Sequence, residues 1–308
     1  MTAIDMPRVL VIGSANVDLV MTVPRCPKPG ESLIGTSFET IPGGKGANQA
    51  VAAARLGAPT LFAGCVGDDG FGEMQRRTLS EAGVDVSHLK AHPSEPTGTA
   101  VILVAETGQN AIAVAPSANF GFTPDDVAAL APVFEEVDVV LLQLEIPMKT
   151  VEAALDAAQG AGVLSLLDAG PAQRVPEAVI RKAGIVSPNE TEAEAMTDVA
   201  VASVEDAERA AECLRERGAQ EVVVKLGANG ALYVGEERLH VPAFTVDPVD
   251  TVAAGDAFTA ALGCAWQRLT RLDALRFANA AGALATTVVG AQPSMPTYEA
   301  VEAFLASR

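Results

Sequence analysis

The densest chemistry in this sequence lies in Asp250-Thr-Val-Ala-Ala-Gly-Asp256, which runs into the helical stretch Ala257-Phe-Thr-Ala-Ala-Leu262. A turn of small residues entering a helix lets the N–H groups of Ala253, Ala254 and Gly255 converge on an anion. A carboxylate beside that hole, Asp256, can accept a proton from an attacking hydroxyl while the hole stabilises charge on a transferring phosphoryl group. An aspartate at a helix start also caps its own helix, and this segment alone does not separate the two roles. A second cluster is Ile41-Pro-Gly-Gly-Lys-Gly-Ala-Asn-Gln49. Gly43 and Gly44 allow close backbone approach to a ligand, and Lys45 and Asn48 offer donors at a helix N-terminus. The P-loop pattern is absent, and an ordinary glycine turn capping a helix explains the segment equally well.

Two further polar groups sit at element boundaries. Ser187-Pro-Asn-Glu-Thr-Glu192 places Asn189 and Glu192 three residues apart on one helix face. They suit the water shell of a Mg²⁺ ion near phosphates, and they equally suit a helix cap with its acidic residue at the third position. Asn16 and Asp18 follow the first predicted strand, where ligands bind in open α/β sheets; the alternative is an Asx-type turn. That strand is followed by Gly13-Ser-Ala-Asn16 rather than G-x-G-x-x-G, which argues against a dinucleotide-dependent dehydrogenase.

The elements that must position these groups are legible from hydrophobic runs. Arg8 to Gly13 reads as a buried parallel strand, and similar runs recur at Pro59 to Ala63, Asp138 to Leu144, Val163 to Leu167, Gly184 to Val186 and Glu221 to Leu226. Helical patterns separate them. Ala47 to Leu56 stops at Gly57. Thr123-Pro124 opens another helix, and Ser203 to Asp206 has capping-box form ahead of Ala207 to Arg217. The alternation predicts an α/β fold: a doubly wound, mostly parallel sheet sandwiched by helices. Residues 17–40 and 97–114 break the alternation with β-branched stretches and predict antiparallel strands outside the main sheet, a small β-strand lid. With no linker or repeat, the expectation is a single domain spanning 1–308.

Composition narrows the partners. A net charge of -18 opposes broad contact with nucleic acid or an anionic membrane, while a small phosphorylated ligand remains compatible through local N–H groups and a divalent cation. Cys26, Cys65, Cys213 and Cys264 show no metal-binding or paired spacing and read as reduced thiols of a cytoplasmic protein. His88, His92 and His240 form no zinc motif. Met1 to Val11 lacks the form of a signal peptide, and no apolar run is long enough to span a bilayer.

Taken together, six segments resemble the ribokinase-like family of carbohydrate kinases in the family's order and across essentially the whole chain: Gly13-Ser-Ala-Asn-Val-Asp18, Gly43-Gly-Lys-Gly-Ala-Asn-Gln-Ala50, Gln143-Leu-Glu-Ile-Pro147, Pro188-Asn-Glu-Thr-Glu192, Asp250 to Asp256 and Gly290-Ala-Gln-Pro-Ser294. The resemblance implies ATP-dependent phosphorylation of the 5-hydroxyl of a sugar, D-ribose by preference. By position, Asn16, Asp18, Gly44, Lys45, Asn48 and Glu145 would hold the sugar, with Asp256 as base and Ala253, Ala254 and Gly255 as the anion hole. Asn189, Glu192, Lys225, Gly227, Gly230 and Asn279 would serve Mg²⁺ and ATP. A K⁺ ion would be held by Asp250, Val252, Ala285, Val288, Gly290 and Ser294, several through their carbonyls. A homodimer through the lid is also implied. The chain departs from the family at Lys225, where threonine is common in ribokinases, at Asn279 in place of histidine, and at Val288 in place of arginine.

The acceptor is read from the sugar side. Asn16, Asp18, Lys45, Asn48 and Glu145 are a generous polar set for a pentose, and Thr97 to Val104 offers no aromatic residue on which a base could stack. This favours ribose over deoxyribose, another sugar or a nucleoside. The reading from another class is a sugar sensor without catalysis, against which Asp256 speaks.

Overall fold

A computed structural model of the protein describes residues 5–107 and 109–308. Residues 1–4, which begin the N-terminal stretch read above, and Gly108, within the second predicted lid segment, lie outside the described residues. In chain order the strands are β1 Val9–Ile12, β2 Asn16–Val23, β3 Ser37–Gly43, β4 Thr60–Gly67, β5 Asp85–His92, β6 Gly98–Ala105 and β7 Asn110–Ala115. They continue with β8 Val139–Leu142, β9 Leu164–Asp168, β10 Ile185–Ser187, β11 Glu221–Lys225, β12 Ala231–Val234 and β13 Arg238–Val241.

Nine strands form the main sheet in the order β13-β12-β11-β10-β9-β8-β1-β4-β5. All neighbours from β11 to β5 are parallel, and β12 and β13 close the other edge as antiparallel strands. The apolar runs explain the parallel part. In β1, Val9 and Val11 join the core on one face while Leu10 and Ile12 join the core on the other, and all four are fully buried. A strand with helices on both sides has no polar face to spare. The sheet is thus doubly wound between helices, as expected from the sequence. The reading missed β5, β12 and β13: these lie at or next to the sheet edges, and exposed, charged β5 and β13 lack the continuous apolar run that marks a buried strand.

The helix Lys45–Arg55 ends at Leu56, and Gly57 follows at φ +87°. This is the glycine stop anticipated from the sequence. Its start lies two residues before the alanine-rich run, because Gly44 at φ +91° turns the chain there. A Cβ at Gly44 would sit 2.5 Å from the Asn16 backbone nitrogen, so only glycine fits. Ser203 accepts from the Asp206 N–H, and its helix begins at Val204, three residues earlier than Ala207.

Four strands form a second sheet in the order β3-β2-β6-β7. The sequence reading made all these strands antiparallel. The β2–β3 and β6–β7 pairs are, but β2 and β6 run parallel. The reason lies in the main sheet. β1 and β5 point the same way there, and the chain leaves both at the same end to enter β2 and β6. Among the described residues no helix is long and apolar enough to cross a membrane.

Candidate active site

The sheet order reverses between β1 and β8: later strands are added outward from β1 through β4 and β5, and from β8 toward β13. Such a switch point opens a crevice at the carboxyl ends of the two strands. Ser14 and Asn16 follow β1 there, and Glu145 follows β8. One carboxylate oxygen of Glu145, Oε2, gathers this corner. It accepts from the Ser14 hydroxyl, the Lys45 backbone N–H at 3.1 Å and Asn16 Nδ2 at 3.4 Å. Asn16 Oδ1 accepts in turn from Asn119 Nδ2 at 2.6 Å. Asp18, on β2, packs against Gly43, where a Cβ would lie 2.5 Å from its carboxylate. Burial, and then the charges of Glu145 and Asp256, push the Asp18 carboxyl up to about 6.

Asp256 lies in the first turn of the helix Ala254–Ala265, preceded by Ala253 in the left-handed conformation at φ 59°. A non-glycine residue held there costs about 1–2 kcal/mol, a strain typical of functional turns. The Ala254 N–H makes only a long 3.4 Å turn bond to the Thr251 carbonyl. Asp256 is buried; Oδ2 accepts from Asn48 Nδ2 at 2.9 Å and Oδ1 from Gln49 Nε2 at 3.1 Å. Burial raises its carboxyl to about 6; Lys45 works against that rise, Asp168 adds to it, and Asn48 and Gln49 oppose it. Asn48 Oδ1 is buried without a partner, an acceptor free for a ligand hydroxyl. The Lys45 ammonium feels burial against its charge, but Asp168, Asp256, Glu192 and Glu145 outweigh it and hold the proton more firmly than usual.

Asp168, at the end of β9, had no part in the sequence reading. It is fully buried and accepts from Lys225 Nζ at 2.9 Å, Gln49 Nε2 at 2.9 Å, Thr259 Oγ1 at 3.2 Å and the Gly170 N–H at 3.2 Å. Burial opposes its charge, but Lys225 and Lys45 prevail and hold its carboxyl below the ordinary range. Lys225 also lies 3.9 Å from Glu192. A Cβ at Gly170 would meet Lys45 Nζ at 2.6 Å and Glu192 Oε1 at 2.7 Å, so this glycine leaves room for both side chains.

The alternatives at Asn189 and Glu192 resolve locally into a realised capping box. Asn189 Oδ1 accepts from the Glu192 N–H at 2.8 Å, and Glu192 Oε2 accepts from the Asn189 N–H at 2.8 Å. The cap leaves Glu192 Oε1 beside Lys45 rather than in the helix. No group of three or more His, Cys, Asp or Glu side chains gathers as a metal site among the described residues. A Mg²⁺ ion here would therefore complete its oxygen shell with phosphates and water, which is how this ion is commonly bound.

The nucleotide candidates fall into two groups. Asn189 bridges Lys225 along the strand edge. Gly227 and Gly230 bound a short turn at φ +50° and +89°. Asn279 Nδ2 donates to the Val241 and Pro242 carbonyls at 3.0 and 3.3 Å, so its amide ties down the segment against which Gly230 packs. The cation candidates are joined by backbone. Asp250 Oδ1 accepts from the Val252 N–H at 3.0 Å and Oδ2 from the Gly290 N–H at 2.8 Å. The Ala285 carbonyl accepts from the Val288 N–H at 3.3 Å, and the Ser294 hydroxyl turns to the Ala291 carbonyl at 2.7 Å. This donor set is all oxygen and suits a hard cation.

The structure gathers the residues expected on the sugar side around Asp256 and adds Ser14, Gln49, Asn119, Asp168 and Thr259, which the sequence reading did not single out. Gln49 lay inside a motif that drew attention to its neighbours. Asp168 carried a usable signal, an acidic residue at the carboxyl end of a predicted parallel strand.

The whole arrangement has counterparts among known proteins. The pattern of the family described as pfkB family carbohydrate kinase matches residues 6–298. A ribokinase of Haemophilus influenzae is 39% identical over 298 residues, covering 96% of this chain and 97% of that protein. A deoxyribokinase of Salmonella typhi is 34% identical over 300 residues, covering 96% of this chain and 98% of its own length. The solved structure of Arabidopsis thaliana ribokinase complexed with ribose and ATP superposes with a TM-score of 0.91 at 34% identity, over 97% of this chain and 98% of that one.

Proposed function

The chain belongs to the pfkB family of carbohydrate kinases, and from that premise we propose that it transfers the γ-phosphoryl group of ATP to the 5-hydroxyl of D-ribose, giving ribose 5-phosphate and ADP. The observation that carries the reading is the buried Asp256, set at a helix N-terminus between Asn48 and Gln49. Asp256 takes the proton as the hydroxyl oxygen forms its bond to phosphorus and the bond to the ADP oxygen breaks. The N–H groups of Ala253, Ala254 and Gly255 face the charge that develops on the phosphoryl oxygens. Lys45, Asn16, Asp18, Gly44, Asn48 and Glu145 bind and orient the sugar. Lys225, Gly227, Gly230 and Asn279 bind the nucleotide, and Asn189 and Glu192 hold waters of its Mg²⁺, which neutralises phosphate charge when bound.

Asp250, Val252, Ala285, Val288, Gly290 and Ser294 would hold K⁺, which would supply positive charge beside the turn Ala253–Gly255. The second sheet acts as a lid over the sugar and as a dimer surface; exposed Phe38, Val101, Ile112 and Val114 on its strands support this. The chain works in the cytoplasm as a single kinase domain.

A second acceptor, 2-deoxyribose, is kept because a relative carries that activity in its name. The unpartnered Asn48 Oδ1 and the dense polar corner favour ribose, since a missing hydroxyl leaves a buried polar group unpaired at about 1–3 kcal/mol. The test is kcat/KM for ATP-dependent ADP release with ribose, 2-deoxyribose, fructose, adenosine and pseudouridine. Ribose should exceed 2-deoxyribose by roughly fivefold to a hundredfold or more. A faster reaction with any other acceptor rejects the ribose assignment.

A further inference from the structure

Gln49 is fully buried in the helix Lys45–Arg55. Its amide lies between two buried carboxylates of the cleft, Asp168 and Asp256. Nε2 reaches Asp168 Oδ2 at 2.9 Å and Asp256 Oδ1 at 3.1 Å. An ionised carboxylate only accepts, so the side facing both acids must be the nitrogen, and its two protons go one to each. The oxygen then faces away, and Oε1 accepts from Gln143 Nε2 at 2.6 Å. Gln143 is itself fully buried and packs where Gly13 has no side chain. The amide can therefore neither flip nor swing without losing several bonds at once.

We propose that Gln49 is a positioning residue for the proton transfer: its amide nitrogen ties the Asp256 carboxylate to that of Asp168 and so fixes the rotation of the base. With Gln49 on Oδ1 and Asn48 on Oδ2, each oxygen of Asp256 holds one fixed donor and keeps a second acceptor direction for the incoming hydroxyl. Asp168 is a firm anchor because Lys225, Thr259 and the Gly170 N–H hold it independently of Gln49. Two carboxylates this close and this buried repel, and the shared amide offsets part of that repulsion beside the larger effect of Lys45. The charged groups facing Asp256 are Lys45 from its helix, Asp168 from β9 and Asp18 from β2; none of them replaces a donor on Oδ1.

The inference rests on Asp256 being the base, and its test is arranged to judge the two separately. The Asp256 carboxyl, labelled at Cγ and assigned through its loss in Asp256→Asn, is titrated by NMR in protein without ligand. Gln49→Met fills the volume but gives no donor, so the Asp256 titration should move to higher pH. An unmoved titration overturns the proposal, whatever the substrate proves to be. Gln49→Glu keeps length and shape but cannot give one proton to each acid, and it guards against a Gln49→Met protein that fails to fold. In the ribose assay its kcat should fall roughly tenfold to a hundredfold with KM for ribose little changed, and the acid limb of its pH profile should shift. Near-normal kcat in Gln49→Glu also overturns the proposal. A wild-type protein without ribose-dependent turnover would refute the ribose reading instead and leave the titration to decide the role of Gln49.

Discussion

The cleft has two ends built on opposite plans. At the sugar end, buried side chains meet from segments far apart in the chain: Asn48 with Asp256 across 208 residues, Ser14 with Glu145 across 131 and Gln49 with Asp168 across 119. At the other end, where K⁺ is proposed to bind, two loops 40 residues apart are joined by backbone N–H groups on Asp250, and Val249, Val252, Val288 and Val289 around them are exposed. The first end is cross-linked by side-chain hydrogen bonds between distant segments, and the second by backbone bonds to one carboxylate. On the proposed function, the first would be preformed and the second ordered by its ligand. A preformed site should respond to substitution by losing chemistry, and a ligand-ordered one should respond to solution conditions.

The largest effect expected on that division is at the base. Asp256→Asn keeps the shape of the side chain and an acceptor for one of its two amide donors but cannot take a proton, so kcat should fall by about 10²–10⁴-fold with ribose binding largely retained. Since the carboxyl is raised to about 6, its ionised form is lost as pH falls through that value. Turnover of the wild type should decline on the acid side there, with Asp18, also near 6, contributing through the sugar. Rate measurements on the variant and a pH profile of kcat check both. Normal turnover in Asp256→Asn would break the comparison at its strongest point.

Next comes the anchor. Asp168→Asn removes the charge that faces the Lys225 ammonium in an ion pair whose two side chains are 10% and 0% exposed. Removing one partner of such a pair costs about 3–5 kcal/mol. Glu192, 3.9 Å from Lys225, should hold the loss to the lower part of that range. Urea denaturation should show the loss, and adding Lys225→Met should restore part of it. A variant as stable as the wild type would mean that the sugar end is not held from behind as its geometry implies.

The smallest effect is expected at the open end. Replacing K⁺ by a bulky organic cation at constant ionic strength should lower kcat severalfold, because on the proposed function the cation would act on the turn Ala253–Gly255 only indirectly, through the loops joined at Asp250 and Gly290. Equal rates would remove the ligand-ordered half of the comparison. A loss as large as that of Asp256→Asn would mean the two ends are one unit.

Much of this was readable without coordinates, and the readable part has a common physics. A strand buried on both faces is a local run such as Val9–Ile12, a helix stop is a local glycine such as Gly57, and a tight turn into a helix is a local string of small residues such as Ala253 to Gly255. Short-range sterics and burial decide each of these within a few residues. The sequence alone also determined which residues could do acid–base work, because residue type sets that.

The tertiary structure alone decided what surrounds them. That β2 and β6 pair in parallel follows from where β1 and β5 lie in the sheet, and no pattern within either segment encodes it. The capping box at Asn189 could be written down from the sequence, but Glu192 beside Lys45 and Lys225 could not. Asp168 and Asp256 are both aspartates near element ends, yet one carboxyl is held low and the other pushed up. The difference comes from Lys225, 57 residues away from Asp168, which with Lys45 holds that carboxyl low, and from burial and then the charge of Asp168 itself, which push Asp256 up. Charges and hydrogen bonds act over a few ångströms of space, and only the order of strands in the sheet sets which residues stand that close.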